Sequence, residues 1–176
     1  MHTKGIIRVF VVLLIIIANI GCDQVSKRIV RRNVAPDQTF SMLNDHLTVT
    51  HAENTGAFLS LGDAMPKTAK NILLSVLPLL ALAFGFYYTI TKRNISKTTL
   101  VGLCFVMGGG AGNVFDRIVY GSVTDFLHIK LGYFQTGIFN LADLSIVTGT
   151  LIILFHSFFK KKKKDLSGND YIGANN

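Results

Sequence analysis

The chain has 176 residues, 49% hydrophobic and only 16% charged, with a formal net charge of +8 and a mean hydropathy of +0.43. That hydropathy excludes a disordered chain, and the basic charge does not form a nucleic-acid-binding face. Five of the 18 Lys and Arg stand in one run, Lys160 to Lys164, directly after an apolar stretch, which is the pattern of a membrane stop. Two cysteines, Cys22 and Cys104, both inside apolar runs and without a CxxC spacing, give neither a disulfide framework nor a zinc pattern, and no cofactor is implied.

Windows apolar enough to cross about 30 Å of hydrocarbon at about 1.5 Å per residue occur four times. The first runs from about Ile6 to Cys22, the second from Ile72 to Ile90, the third from Thr98 to Phe115 and the fourth from Ile138 to Phe159. No linker divides them, so residues 1–164 read as one domain and 165–176 as a polar, disordered tail. Ile20-Gly21-Cys22 resembles the end of a lipoprotein cleavage box, yet Asn19 stands where such a box carries Leu, Val or Ile. With three further spans, a retained first helix is the better reading.

Dense basic flanks at Lys4 and Arg8, at Lys92, Arg93 and Lys97, and at the terminal lysine run place both termini in the cytoplasm. The loops from about Asp23 to Asn71 and from about Asp116 to Gly137 then lie outside. Leu47-Thr48-Val49-Thr50-His51 is β-rich, and Ala57-Phe58-Leu59 follows a turn at Asn54-Thr55-Gly56, so a small extracytoplasmic sheet is expected.

Ionisable groups in spans are costly and mark sites. Asp23 and Lys27 end the first span, Asn113, Asp116 and Arg117 end the third, and Asn140 and Asp143 begin the fourth, all near the outer face. Starting the fourth helix at Ile138 puts Asp143 about 7 Å below its entry, with Asn140 on the same helix face at i, i+3. Asp23 and Lys27, four apart, suit an ion pair, and Gly108 and Gly112 give a GxxxG spacing for close helix packing. Asp125, between apolar residues in Val123-Thr124-Asp125-Phe126, is a second candidate interfacial carboxylate. Two carboxylates brought together share a proton and hydrolyse an amide with no metal or nucleophilic side chain. Neither HExxH nor GxSxG is present, and four histidines, His46, His51, His128 and His156, show no ligand spacing. Spacing alone does not establish that Asp125 and Asp143 meet. Isolated, each polar residue also fits an interhelical contact or a headgroup anchor.

Five segments in order resemble the lipoprotein signal peptidase (signal peptidase II) family. They are Asp23-Gln24-Val25-Ser26-Lys27, Asn54-Thr55-Gly56-Ala57-Phe58, Gly109 to Arg117, Val123-Thr124-Asp125-Phe126 and Phe139-Asn140-Leu141-Ala142-Asp143. The family usually has one more small residue between the glycine and phenylalanine of the Asn-x-Gly motif, so the loop after Gly56 departs from its pattern. The resemblance implies four transmembrane helices with a small β-cradle, and an intramembrane aspartic endopeptidase that cleaves diacylglyceryl-modified prolipoproteins before the lipidated cysteine. It maps Asp125 and Asp143 onto the catalytic pair, and Asn54, Gly56, Asn113, Arg117, Asn140, Asp23 and Lys27 onto surrounding positions. It further implies membrane lipid and globomycin-type cyclic peptides as ligands, no nucleic acid, a monomer, and the bacterial inner membrane. Two other classes compete: a small proton- or cation-coupled transporter subunit, which predicts polar groups through the full membrane depth, and a membrane-assembly protein with a structural Asp–Arg network.

Overall fold

The structure, a computed structural model, describes residues 2–36, 38–56 and 65–169, with side chains for 5–36, 38–56 and 65–160. Among these, four helices are long and apolar enough to span a membrane: Gly5–Asn33, Lys67–Thr91, Lys97–Tyr120 and Leu141–Lys160. In hydrocarbon a backbone finds no partner but itself, so even the stretch from Val11 to Ile17, five of whose seven residues are β-branched, is helical, its amides bonded within the segment.

The first helix, α1, covers His2–Asn33. The second span is composite: α2 (Lys67–Asn71), a π-helical turn at Ile72–Val76 and α3 (Leu77–Thr91). Pro78 in the first turn of α3 has no N–H to return to the preceding turn, and the helix widens just before it. The third, α4 (Lys97–Tyr120), starts at Ser96, whose hydroxyl accepts from the Thr99 N–H at 3.1 Å, and stops at Gly121, which takes the left-handed φ of 78°. The fourth, α5, is Leu141–Asn169, with residues 165–169 continuing the helix and 170–176 outside the described residues.

Three boundaries that bear on the polar residues differ from those expected. Helix α1 continues eleven residues past Cys22, because Asp23 and Lys27 are not a helix-ending polar pair but buried charges answered by α4. Helix α4 likewise runs beyond Phe115 through Asp116 and Arg117 to Tyr120. Helix α5 begins at Leu141 rather than Ile138, so Asp143 lies in its first turn and not one turn deep.

Among the described residues four antiparallel strands form a sheet in the order β1 (Thr39–Met42), β2 (Leu47–Asn54), β3 (Val123–Leu131) and β4 (Phe134–Gln135). The β-rich Leu47–His51 is indeed a strand, paired with β1 and β3; Ala57-Phe58-Leu59 lie outside the described residues. Across β2 and β3, Ala52 faces Asp125, Glu53 faces Thr124 and Asn54 faces Val123, after a register shift between Val49 and Ala52. The sheet is tied to the end of α1 by Val30, Val34 and Phe126, joined by Val49, Leu127 and Leu141. A second apolar cluster, Val12, Cys104 and Met107 with Leu82 and Phe86, holds α1, α3 and α4 together nearer the opposite end.

Helix α4 is the centre of the bundle, and its glycines explain how. A Cβ on Gly108 would stand 2.6 Å from the Asn19 Cβ, one on Gly112 2.6 Å from the Asp23 carboxylate, and one on Gly110 2.9 Å from Leu82. A Cβ on Gly109 would collide with the Ala142 carbonyl. The Gly108/Gly112 spacing thus seats α1, while Gly110 seats α3 and Gly109 seats α5.

Candidate active site

At the sheet end of the bundle, the sequence Asn140-Leu141-Ala142-Asp143 starts α5 with a reciprocal capping box. The Asn140 Oδ1 accepts from the Asp143 N–H at 2.9 Å, and the Asp143 Oδ2 accepts from the Asn140 N–H at 3.2 Å. The i, i+3 spacing therefore joins the two residues to each other instead of aiming both from one helix face. The intervening Ala142 is fully buried, and its N–H donates to the Asp23 Oδ1 at 2.9 Å. Helices α1 and α4 hold this turn from two sides, α1 by a carboxylate and α4 by the bare backbone of Gly109.

The cap residue links the two carboxylates. While its oxygen faces Asp143, the Asn140 Nδ2 donates to the Asp125 Oδ1 at 2.7 Å. The other Asp125 oxygen accepts from the Asn54 Nδ2 at 3.0 Å, across the β2–β3 pair and two residues from the directly opposed Ala52. Asp143 accepts from the Asn113 Nδ2 at 2.8 Å through its Oδ1. Asp125 and Asp143, which spacing could not bring together, are one asparagine apart.

Asp125 is only 4% exposed. Burial pushes its carboxyl up to about 6, the negative charge of Asp143 adds to the rise, and hydrogen bonds from Asn54 and Asn140 with the charge of Lys27 hold it back. Beneath the pair, Lys27 lies fully buried between Asp23 at 2.8 Å and Asp116 at 2.9 Å, and also donates to the Asn113 Oδ1 at 2.9 Å. The expected Asp23–Lys27 ion pair is therefore present, within a larger network that Asp116 completes. Arg117 donates to the Gly56 carbonyl at 3.0 Å, and the Gly56 N–H donates to the Asn54 Oδ1 at 3.0 Å, so Arg117 fixes the turn that carries Asn54. Every candidate residue named from the sequence lies in this one network.

Other members are not singled out by the sequence, and Arg31, Glu53 and Ser122 lie outside its motifs. Arg31 donates to the Thr124 hydroxyl at 2.6 Å, pairs with Asp116 at 3.1 Å and lies 3.9 Å over the Tyr120 ring. Glu53 accepts from Ser122, from Thr124 at 2.7 Å and from His51 at 3.0 Å. Burial, the largest influence on Glu53, raises its carboxyl, but these hydrogen bonds and the Arg31 charge outweigh it and hold the group below the usual range. Thr124 and Asp125 point to opposite faces of β3, so this cluster braces the strand from behind. Gln24, within the first motif, spans Asp23 at 3.1 Å and Asp116 at 3.0 Å. Among the described residues no group of three or more His, Cys, Asp or Glu side chains is arranged to hold a metal ion.

A buried carboxylate, Asp125, and a half-buried one, Asp143, stand in a lattice of amides at the sheet end of a four-span helical bundle, an arrangement suited to acid–base chemistry. The model of the Signal peptidase (SPase) II family matches residues 15–159. The lipoprotein signal peptidase of Borreliella burgdorferi (strain ZS7) is 34% identical over 88% of this chain and 93% of its own. That of Desulforapulum autotrophicum is 31% identical over 92% and 98%. Two solved bacterial membrane enzymes share the fold, one with a TM-score of 0.77 at 23% identity over 88% of this chain and 91% of its own. The other has a TM-score of 0.73 at 25% identity over 83% and 91%. The chain belongs to the signal peptidase II family and is a membrane peptidase of that type.

Proposed function

We propose that the protein is an aspartic endopeptidase that removes the signal peptide of diacylglyceryl-modified prolipoproteins, cutting on the N-terminal side of the lipidated cysteine. The observation that carries this reading is the Asp125–Asn140–Asp143 linkage, with Asp125 pushed up to about 6. Unequal surroundings divide the work: Asp125 enters as the acid and Asp143 as the base. Asp143 takes a proton from water as the oxygen attacks the scissile carbonyl carbon, and Asp125 gives its proton to the carbonyl oxygen. The resulting diol collapses as Asp143 passes its proton to the departing nitrogen, Asp125 recovers one from a diol hydroxyl, and the C–N bond breaks.

Asn54, Asn113 and Asn140 hold the carboxylates, Arg117 and Gly56 set the adjoining turn, and Asp23 with Lys27 anchors α5. Residues 1–164 act as a single domain and a monomer, in the bacterial inner membrane, with both termini cytoplasmic and the site at the extracytoplasmic face. There a lipid-anchored substrate presents its scissile bond beside the headgroups. Residues 165–176 serve as a cytoplasmic tail, and globomycin-type cyclic peptides inhibit. The polar network is confined to the sheet end, which favours this reading over a transport pathway through the full depth.

Purified protein in detergent is expected to shorten a diacylglyceryl-modified prolipoprotein on a gel. Folded Asp125→Asn and Asp143→Asn variants each lose about 10²–10⁴-fold in rate. A folded wild type that leaves the lipidated substrate intact, or a variant that processes it normally, rejects the assignment.

A further inference from the structure

Three asparagines donate to the two carboxylates, and each has its amide oxygen engaged by a donor. For Asn54 the donor is the Gly56 N–H and for Asn140 it is the Asp143 N–H, both backbone groups fixed by the fold. Asn113 differs: its Oδ1 faces the ammonium of Lys27 at 2.9 Å, while its Nδ2 donates to Asp143 at 2.8 Å. A side-chain amide is nearly the same shape turned end for end, so only its neighbours tell oxygen from nitrogen. Turned round, Asn113 would point N–H groups at an ammonium and an oxygen at a carboxylate.

Lys27 is suited to enforce that distinction. An ammonium has three donors and no acceptor, and here it donates to Asn113 and is ion-paired with Asp23 and Asp116. The whole side chain and both acids are 0% exposed, so no water competes for these positions. An ammonium in such surroundings is costly, and packing two helices requires none. Asp143, in turn, has one oxygen held by Asn113 and the other by the Asn140 N–H.

We infer that Lys27 is a positioning residue for the proposed reaction, fixing the direction of the Asn113 amide so that Asp143 always meets an N–H donor. The inference rests on the aspartic-peptidase reading above. Lys27 itself touches no reacting atom and acts through Asn113.

The test is a double-mutant cycle on the purified full chain in detergent with a diacylglyceryl-modified prolipoprotein, recording kcat, KM and Tm for wild type, Lys27→Met, Asn113→Ala and the double variant. Lys27→Met is expected to lower kcat by about 10- to 100-fold with KM within about twofold. In the Asn113→Ala background the same substitution shifts kcat by less than about twofold, because the amide it directs is gone. Since Lys27→Met leaves the Asp23–Asp116–Arg31 cluster with one negative charge in excess, the charge-balanced Lys27→Met/Asp116→Asn is taken through the same cycle against Asp116→Asn. A lower Tm with wild-type kcat in the folded fraction, or an equal loss of kcat with and without Asn113, overturns the inference. A wild type that leaves the substrate whole rejects the peptidase reading instead, before Lys27 is reached.

Discussion

At the scale of single residues, Asp125 and Glu53, acids on paired strands, respond oppositely to their surroundings, and pH separates them. The folded chain keeps a proton on Asp125 up to about 6, whereas a solvated carboxyl releases it near 3.8. Between those values the folded state binds more protons than the unfolded one, so Asp125 makes stability fall as pH rises through the window. Through this group the wild type is expected to lose on the order of 1–3 kcal/mol of stability between pH about 4 and 7.5, and Asp125→Asn, which has no proton to release, to lack that slope. Thermal unfolding of both proteins across that range checks it. For activity the same proton is the acid, so kcat/KM should fall as pH rises past about 6, approaching tenfold per unit. A profile flat from 6 to 8 would contradict the role given to Asp125. Glu53 behaves in reverse: its carboxyl is held low, so its stabilisation is present above 4.5 and is lost as pH falls through the depressed value. Glu53→Gln should therefore lower Tm at pH 7 and make little difference in strong acid.

At the scale of elements, the first turn of α5 is the piece on which the site depends. Its cap joins the carboxylates, its Ala142 N–H is fixed by α1, and its Ala142 carbonyl rests against Gly109 of α4. A methyl group at 109 must displace that turn, and the displacement reaches Asn140 and Asp143 directly. Gly109→Ala is expected to lower stability by about 1–3 kcal/mol and to reduce activity in the folded fraction. Gly21→Ala, with nothing within 4 Å of the added carbon, serves as the matched control and should leave both unchanged. Tm and initial processing rate, measured side by side in one detergent, decide between the two outcomes.

At the scale of the whole molecule, the two ends of the bundle are held by different means. The sheet end has the buried charge network; the opposite end has Arg8, whose guanidinium donates to the Thr89, Lys92 and Arg93 carbonyls at 2.9, 2.8 and 3.3 Å. These are carbonyls that the last turn of α3 and the turn after it leave without helical partners. Arg8, legible in the sequence only as a basic flank, thus clamps α1 to α3 across the bundle. Arg8→Gln keeps some donors but loses the charge and the fork, and is expected to cost about 1–3 kcal/mol while the folded protein keeps its kcat. An unchanged Tm in detergent would show that the apolar contacts around Val12 and Met107 suffice to join the helices.

Hydropathy made the four spans legible, because hydrocarbon forces an apolar run of this length into a helix whatever its propensity. The residue types of the site were legible too, because carboxylates and amides are conspicuous in such runs. The ends of the helices were not. Asp23, Lys27, Asp116 and Arg117 look like terminators when each is weighed alone, and they stay helical because each has a partner far away in sequence: Asp23 the Ala142 N–H, Lys27 and Asp116 one another, and Arg117 the Gly56 carbonyl. Nor does local sequence reveal that Arg31 and Glu53 brace the strand of Asp125, since neither has a helical or motif partner. Sequence by itself determined which segments lie in a membrane and which polar groups are out of place there, since both depend on the solvent around one stretch of chain. Tertiary structure alone decided that Asp125 and Asp143 share Asn140, and that Lys27 reaches Asn113, since hydrogen-bond geometry and burial belong to pairs of elements and not to either one.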